Sequence, residues 1–200
     1  MAVGTLVFPV QFQAPPDQGR VPHSTIMDSR DRGETWRIGR GAKTNTTECQ
    51  VVELEPGTLM LNMRDNRGGA RSVYVTRDMG QTWTAHPSSR GALVEPTCNA
   101  GLIRTGATDD PRKPWLAFVN PNVTRGPRRH MTLKISLDGG MTWPTSRHLL
   151  LDEGRSAGYP GLTMLDEETI GVFYEGSRAN MTFQRIPLSD VLERDTVADD

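Results

Sequence analysis

Ser29-Arg30-Asp31-Arg32-Gly33-Glu34-Thr35-Trp36 is the first of three copies of one pattern, which returns at Thr76–Trp83 and at Ser136–Trp143. Each copy begins with Ser or Thr and then places Asp, Gly, Thr and Trp at the same spacing. Five fixed positions match by chance on the order of once in a million starting points. Three matches in a chain of 200 residues therefore indicate a repeat protein.

The chemistry of the pattern is that of a tight turn between two strands. A short hydroxyl side chain and an Asp can bond nearby backbone N–H groups, while Gly accepts the positive φ that such turns require. The Thr-Trp pair then begins a new strand and supplies a large apolar ring. The copies follow one another after 47 residues (Trp36 to Trp83) and after 60 residues (Trp83 to Trp143). This spacing predicts one four-stranded blade per copy, as in a β-propeller.

Strand signals fill the chain between the copies, and most are bounded by Gly, Pro, Asp or Asn. The predicted strands are Thr5–Phe12, Ser24–Asp28, Gln50–Leu54, Thr58–Met63, Ser72–Thr76, Trp115–Asn120, Met131–Ser136, Leu162–Leu165 and Thr169–Tyr174. Only Leu188–Arg194 has a helical period. The sequence thus predicts an all-β chain, which at roughly 40 to 50 residues per blade holds about four blades.

Composition excludes several classes of function. The net charge of −1 gives no basis for binding nucleic acid. The longest apolar run, Ala2–Val10, contains Gly4 and Pro9, so we expect neither a signal peptide nor a transmembrane segment. Cys49 and Cys98 are expected to be buried small residues and not a disulfide, and the four His lack metal-ligand spacing. We therefore expect no metal and no organic cofactor.

The repeated pattern resembles the Asp-box of the sialidase (neuraminidase) family. In that family the boxes lie on the rim away from the active site, and non-catalytic propellers also carry them, so the boxes identify the scaffold and not the chemistry. The resemblance implies a six-bladed propeller of which this chain holds about four blades, with the N-terminal part missing. On that basis residues 1–187 form a partial propeller domain and residues 188–200 a C-terminal tail.

The chemistry of sialic acid explains which residues matter beyond the boxes. Its anomeric carbon carries a carboxylate, so a Tyr replaces the usual carboxylate nucleophile and needs a neighbouring base. Arginines bind the substrate carboxylate as planar forks. Thr47–Leu54 resembles the stretch around the base of the family, which places that role on Glu48, and Asn62-Met63-Arg64 resembles its Asn-x-Arg, which places a carboxylate-binding role on Arg64. Arg67 and Arg71 follow and are expected on a solvated hairpin loop.

The remaining site residues come from the second half of the chain. The segment from Arg128 to the third box resembles the family's Arg-x-Asn/Asp-Leu motif, which implies another carboxylate-binding arginine at Arg128, with Arg129 left as an alternative. Ser156–Thr163 resembles the segment that carries the nucleophile, which identifies Tyr159. Ile170–Glu175 resembles the Tyr-Glu ending in which the Glu supports the first arginine, so Glu175 is expected to act through another residue.

The resemblance implies an exo-alpha-sialidase that releases terminal sialic acid from glycoproteins, glycolipids or oligosaccharides. Two parts of the family pattern, an Arg-Ile-Pro motif and an acid/base Asp, have no match here. We therefore expect a partial sequence that is poorly active alone. The alternatives are a non-catalytic Asp-box propeller that binds glycans or proteins, and a fragment completed by a partner chain. The compartment stays open, because a signal peptide upstream would imply a secreted, lysosomal or periplasmic protein and its absence would imply a cytoplasmic one.

Overall fold

The protein is described from a computed structural model that covers residues 4–106, 110, 112–155 and 158–192. Strands dominate it, and the helical elements are the 3-10 turns Pro16–Gln18 and Thr145–Arg147 and one short helix, α1 (Ser189–Leu192). The strands are β1 (Leu6–Gln13), β2 (Pro22–Ser29), β3 (Arg37–Ile38), β4 (Lys43–Thr44), β5 (Thr46–Glu55), β6 (Thr58–Asp65), β7 (Gly69–Ala70), β8 (Ser72–Thr76), β9 (Thr84–Ala85), β10 (Val94–Glu95), β11 (Gly101–Arg104), β12 (Leu116–Pro121), β13 (Arg129–Ser136), β14 (His148–Arg155), β15 (Gly158–Met164), β16 (Thr169–Glu175) and β17 (Met181–Pro187).

Four antiparallel sheets form the blades, which we number in chain order. Blade 1 contains β1 and β2, with β3 and β4 both paired to β2. Blade 2 has the order β5-β6-β8-β9, blade 3 the order β11-β12-β13-β14 and blade 4 the order β15-β16-β17. The first strands of successive blades contact one another, β1 with β5, β5 with β11 and β11 with β15. This arrangement confirms the predicted all-β propeller with four blades.

The apolar core lies between the blades, in three clusters. Because a blade packs against a neighbour on each side, both faces of its central strands are buried, which explains the continuous apolar run Leu-Ala-Phe-Val of β12. Blades 1 and 2 enclose Ile26, Leu59, Leu61 and Met63; blades 2 and 3 enclose Met60, Val73, Leu102, Leu116, Phe118 and Trp143; blades 3 and 4 enclose Val119, Leu133, Ile135, Ile170, Val172 and Tyr174. Cys49 and Cys98 are free and buried, as predicted.

The three repeats form the turns β2–β3, β8–β9 and β13–β14. In the first, the Ser29 hydroxyl donates to Asp31 at 2.7 Å, and the Thr35 backbone N–H donates to the same carboxylate at 2.9 Å. The hydroxyl of the repeated Thr lowers the pKa of Asp31 and of Asp78 to about 2. Each turn is thus closed by its own side chains, as the pattern predicted.

The tryptophans of the repeats differ in environment although their local sequence is the same. Trp36 is 40% exposed and lies 5.4 Å from the ring of Phe8, whereas Trp143 is only 8% exposed and packs on Phe118 in the core between blades 2 and 3. The Trp83 indole donates to the Arg40 carbonyl of the preceding blade at 2.9 Å. The turn is therefore the same in each repeat, and contacts with the neighbouring blade determine how much of each Trp ring is buried.

The predicted C-terminal helix is present as α1, which covers Ser189–Leu192, and the last two residues of the prediction lie outside the described residues. Residues 193–200, which include most of the predicted tail, lie outside the described residues. Within the part of the chain that the structure describes, no helix is long and apolar enough to cross a membrane.

Candidate functional site

Three β-bulges mark the end of the blades opposite the Asp-box turns. The β5–β6 pairing shifts at Glu48, the β13–β14 pairing at His130, and the β15–β16 pairing between Gly158 and Gly161. Glu48, His130 and Tyr159 have positive φ values of 37°, 56° and 50°. Such backbone is costly for residues with a side chain and concentrates at functional sites, where a bulge re-aims a side chain out of the ladder.

Glu48 connects two other candidate residues. Its Oε2 accepts a bond from Arg64 Nη1 at 2.6 Å, and its Oε1 accepts a bond from the Tyr159 hydroxyl at 3.2 Å. The Glu48 backbone N–H donates to Gln11 Oε1 at 3.0 Å, and the Glu48 carbonyl accepts from Arg71 Nη2 at 3.1 Å. Side chains from β1 and from the β7–β8 region therefore hold the strained backbone of this residue from both sides.

Tyr159 enters the site from blade 4 and remains 43% exposed. It follows Gly158, whose φ is +99°, and a Cβ at Gly158 would lie only 2.5 Å from Cys98 Sγ. Glycine is required there because both the backbone conformation and the space exclude a side chain. Ser156 and Ala157 of the predicted nucleophile segment lie outside the described residues.

Arg64 lies at the C-terminal end of β6, opposite Thr47 in the register. Burial acts to lower the pKa of its guanidinium, but the hydrogen bond and charge of Glu48 outweigh that effect and raise the pKa above its usual value. Its Nε is buried and has no partner among the described residues. Arg64 is thus a fixed cation that keeps a donor available.

The structure distinguishes the two arginines that the sequence left open. The Arg128 guanidinium lies 5.0 Å from the centre of the Tyr159 ring, and its Nη2 donates to the Thr97 carbonyl at 3.1 Å. Arg129 begins β13, pairs in register with Arg155 and has an exposed side chain. The structure therefore brings Arg128 to the other candidate residues and leaves Arg129 on the surface.

Glu175 ends β16, where it lies opposite Gly158 in the register. Its side chain is half-buried and lines a small cavity of about 260 Å³ together with Asn180 and Met181. Glu175 is therefore one strand away from Tyr159 and belongs to the surroundings of that residue.

Glu48 and Tyr159 border an open cleft of about 300 Å³ between blades 1, 2 and 4. Its lining residues are Pro9, Val10, Gln11, Glu48, Cys49, Gln50, Asn99 and Tyr159. Sequence reasoning missed Gln11 and Asn99, since neither belongs to a recognisable motif. No cluster of three metal-ligating side chains exists among the residues that were described.

The prediction for Arg71 was wrong. Its side chain is fully buried and pairs with the equally buried Glu95 at 3.1 Å. Arg71 also donates to Asn62 Oδ1 at 2.7 Å and to the Cys98 carbonyl at 2.9 Å. The sequence around Arg71 resembles a solvated loop because Glu95, which balances the charge of Arg71, lies 24 positions later in the chain. No local sequence pattern indicates that pairing.

Comparison with known proteins places this site in context. Residues 1–172 match the model of the BNR repeat-like domain family. A sialidase of Bacteroides fragilis (strain YCH46) is 55% identical over 194 residues, which cover 96% of this chain and 35% of that protein. The chain therefore spans about a third of the length of this curated relative.

Solved structures give the same result. The Hadza microbial sialidase Hz136 matches with a TM-score of 0.87 and 53% identity, over 96% of this chain and 37% of that one. The Trypanosoma rangeli sialidase in complex with 2,3-difluorosialic acid, described as a covalent intermediate, matches with a TM-score of 0.71 over 96% of this chain and 31% of that one. At 23% identity, the second match supports the shared fold alone.

Proposed function

The chain belongs to the BNR repeat-like domain family, and from this premise we propose that it is part of an exo-alpha-sialidase that releases terminal sialic acid from glycoconjugates. The observation that carries the proposal is the contact of Tyr159 with Glu48, across 111 residues of sequence, beside Arg64 and Arg128. The names of the relatives at 55% and 53% identity support the same activity.

The proposed reaction begins with a proton transfer. Glu48 accepts the phenolic proton of Tyr159, and the resulting phenolate oxygen attacks the anomeric carbon of the sialoside while the bond to the leaving oxygen breaks. A neutral phenol approaches the carboxylated carbon without the repulsion that a carboxylate nucleophile would meet. Water then attacks the same carbon, the Tyr–carbon bond breaks, and sialic acid leaves with retained configuration.

Each arginine has a distinct part in this proposal. Arg64 and Arg128 bind the substrate carboxylate, and their charges also stabilise negative charge that develops on the Tyr159 oxygen. Glu175 positions neighbouring groups without touching substrate. The proposal assigns neither the proton donor for the leaving oxygen nor the first arginine of the family pattern to a residue of this chain.

The test uses protein expressed from the complete gene and a fluorogenic sialoside. We expect turnover to be lost in Tyr159→Phe and kept in Tyr174→Phe, a matched control whose hydroxyl is buried and bonds Gln184 at 2.8 Å. Incubation with 2,3-difluorosialic acid should release fluoride from the anomeric carbon and add one 3-fluorosialosyl group to the peptide that contains Tyr159, detected by mass spectrometry. Unchanged turnover in Tyr159→Phe would exclude this residue as the nucleophile.

A further inference from the structure

A second and larger cavity, of about 710 Å³, lies at the same end of the blades as the cleft. The β1–β2 hairpin forms one wall, at the end of blade 1 opposite the Asp-box turn that follows Ser29. The other wall comes from the residues that follow β4 and β6. The lining residues are Ala14, Gln18, Gly19, Arg20, Val21, Pro22, His23, Thr44, Asn45 and Arg67. Two arginines and no Asp or Glu therefore line this space among the described residues.

Both walls of the cavity are held in place by hydrogen bonds. In the hairpin, the Ala14 N–H donates to the Val21 carbonyl at 2.9 Å, and Gly19 adopts the left-handed conformation with φ +76°. On the other wall, Arg67 donates to the Thr44 carbonyl at 3.0 Å and to the Thr44 hydroxyl at 3.3 Å. A ligand would therefore meet a surface that needs little ordering on binding.

The charge around this cavity is positive. The buried carboxylate of Asp65 contacts three cations, Lys43 at 3.0 Å, Arg67 at 3.0 Å and Arg90 at 3.2 Å. Burial acts to raise the pKa of Asp65, but the hydrogen bonds from Ser72, Arg67 and Lys43 together lower it to about 2. Asp65 is thus ionised at neutral pH and has two further cationic partners besides Arg67, while Arg20 adds a second positive charge to the cavity lining itself. The excess of positive charge favours an anion.

The cavity and the cleft both lie along β1, since Gln11 of the strand lines the cleft and Ala14, which directly follows the strand, lines the cavity. Gln11 lines the cleft and accepts the Glu48 N–H, while Gln13 is paired in register with Pro22, which lines the cavity. Gln11 and Gln13 lie on the same face of the strand, about 7 Å apart. An oligosaccharide whose terminal sugar lies at Tyr159 can therefore extend toward Arg20 and Arg67.

We propose that this cavity binds a second anionic group of the glycan, with Arg20 and Arg67 as the residues that contact it. The chemistry fits the carboxylate of a penultimate sialic acid or the sulfate ester of a sulfated sugar, since both accept the planar donors of arginine. The inference rests on the proposed function, because the first anionic sugar is placed by the Tyr159 cleft.

The kinetic test compares sialyllactose with disialyllactose and with a sulfated sialyllactose, using protein from the complete gene. In Arg20→Gln and Arg67→Gln we expect kcat/KM to fall about threefold to fivefold for a substrate with a second anion and to stay unchanged for sialyllactose. The control is Arg37→Gln, an exposed arginine next to the Asp-box end of blade 1. Equal losses for all three substrates would overturn the proposal, and the substrate that shows the selective loss identifies the source of the anion.

A binding measurement separates this proposal from the proposed function. Titration calorimetry with the same oligosaccharides uses Tyr159→Phe as the background, so that no substrate is consumed. If the protein hydrolyses no sialoside, the proposed function fails, yet weaker binding of the two-anion oligosaccharide in Arg67→Gln than in Arg37→Gln still supports the cavity. If hydrolysis occurs but Arg20→Gln and Arg67→Gln bind all ligands like the control, the cavity proposal fails alone.

Discussion

Two Arg–Glu ion pairs lie within one blade of each other, and they differ in exposure and in the number of hydrogen bonds that each arginine makes. Arg64 and Glu48 meet at 2.6 Å with side chains 21% and 27% exposed, whereas Arg71 and Glu95 meet at 3.1 Å with both side chains fully buried. Arg71 makes five hydrogen bonds to Asn62, Glu95, Cys98 and Glu48, while Arg64 keeps a buried Nε without a partner among the described residues.

The difference separates an architectural ion pair from one that can meet a ligand. A buried pair must be fully hydrogen-bonded, because each unmatched donor would cost the free energy of its lost hydration. Burial raises the pKa of Glu95, and the positive charge of Arg71 opposes that rise. The partly exposed pair bears such a cost at the buried Arg64 Nε, which has no hydrogen-bond partner among the described residues. Saturation of the hydrogen bonds, and not the presence of the pair, therefore distinguishes the two.

The largest effect is expected from the open pair. Glu48→Gln removes the proposed base, so turnover of a fluorogenic sialoside should fall by about 10²- to 10⁴-fold. The free energy of unfolding should change by only about 1 kcal/mol or less, because the pair is partly exposed. Glu53→Gln, on the same strand, serves as the control and should keep full turnover. Comparable turnover in both variants would remove Glu48 from the mechanism.

Breaking the buried pair should act in the opposite way. Arg71→Met leaves Glu95 as a buried charge without its partner, and we expect the free energy of unfolding to fall by about 3 to 5 kcal/mol in urea titrations. Arg67→Met, on the exposed side of the same segment, should cost about 1 kcal/mol or less. The double variant Arg71→Met/Glu95→Leu should recover a large part of the loss. A double variant as unstable as Arg71→Met would mean that Arg71 acts mainly through Asn62 and Cys98.

A smaller, pH-dependent effect comes from a buried cation near the closed pair. Lys134 is 1% exposed and donates to Asn120 Oδ1 at 2.9 Å; burial first, and then the charge of Arg71, lower its pKa to about 7. Between pH 7 and the ordinary lysine value of 10.5, the unfolded chain binds a proton that the folded chain does not, so stability rises with pH.

Replacement of this lysine tests the argument directly. The free energy of unfolding of Lys134→Met, compared with that of the native chain, should be most favourable at about pH 6. This relative stability should fall by on the order of 2 kcal/mol by about pH 9. Lys113→Met, at an exposed lysine, is the matched control. Parallel pH profiles for both variants would show that Lys134 stays charged in the folded protein.

Several strands were predictable because their signals are local. β8 has the predicted bounds, and β16 and β6 extend the predictions by one and two residues. β14 and β17 were not predicted. β14 contains three consecutive leucines after His148 that lack strict alternation, and β17 is an exposed edge strand whose shape is imposed by pairing with β16. Edge strands are specified by their neighbours as much as by their own residues.

The candidate site likewise contains residues with a local sequence signal and residues without one. Glu48, Arg64 and Tyr159 lie in short motifs, so their positions could be predicted and they meet in the structure. Gln11 on β1 and Arg71 between β7 and β8, which support the Glu48 backbone, are distant in sequence from it and carry no motif. Contacts between residues that are far apart in sequence were therefore the part that could not be predicted, because they depend on how the blades are packed together.

The bulges at Glu48, His130 and Tyr159 have a consequence for how such a protein can change over time. At Glu48 and Tyr159 the extra position lies on the strand of the site residue, so that Thr47 still faces Arg64 and Cys49 still faces Met63, whereas at His130 the extra residues lie on the partner strand β14. The residues that carry the proposed chemistry and the residues that pair the strands thus occupy different positions along the strand. A lineage can exchange or lose the inserted side chain without repacking the blades, which makes one scaffold compatible with many chemistries.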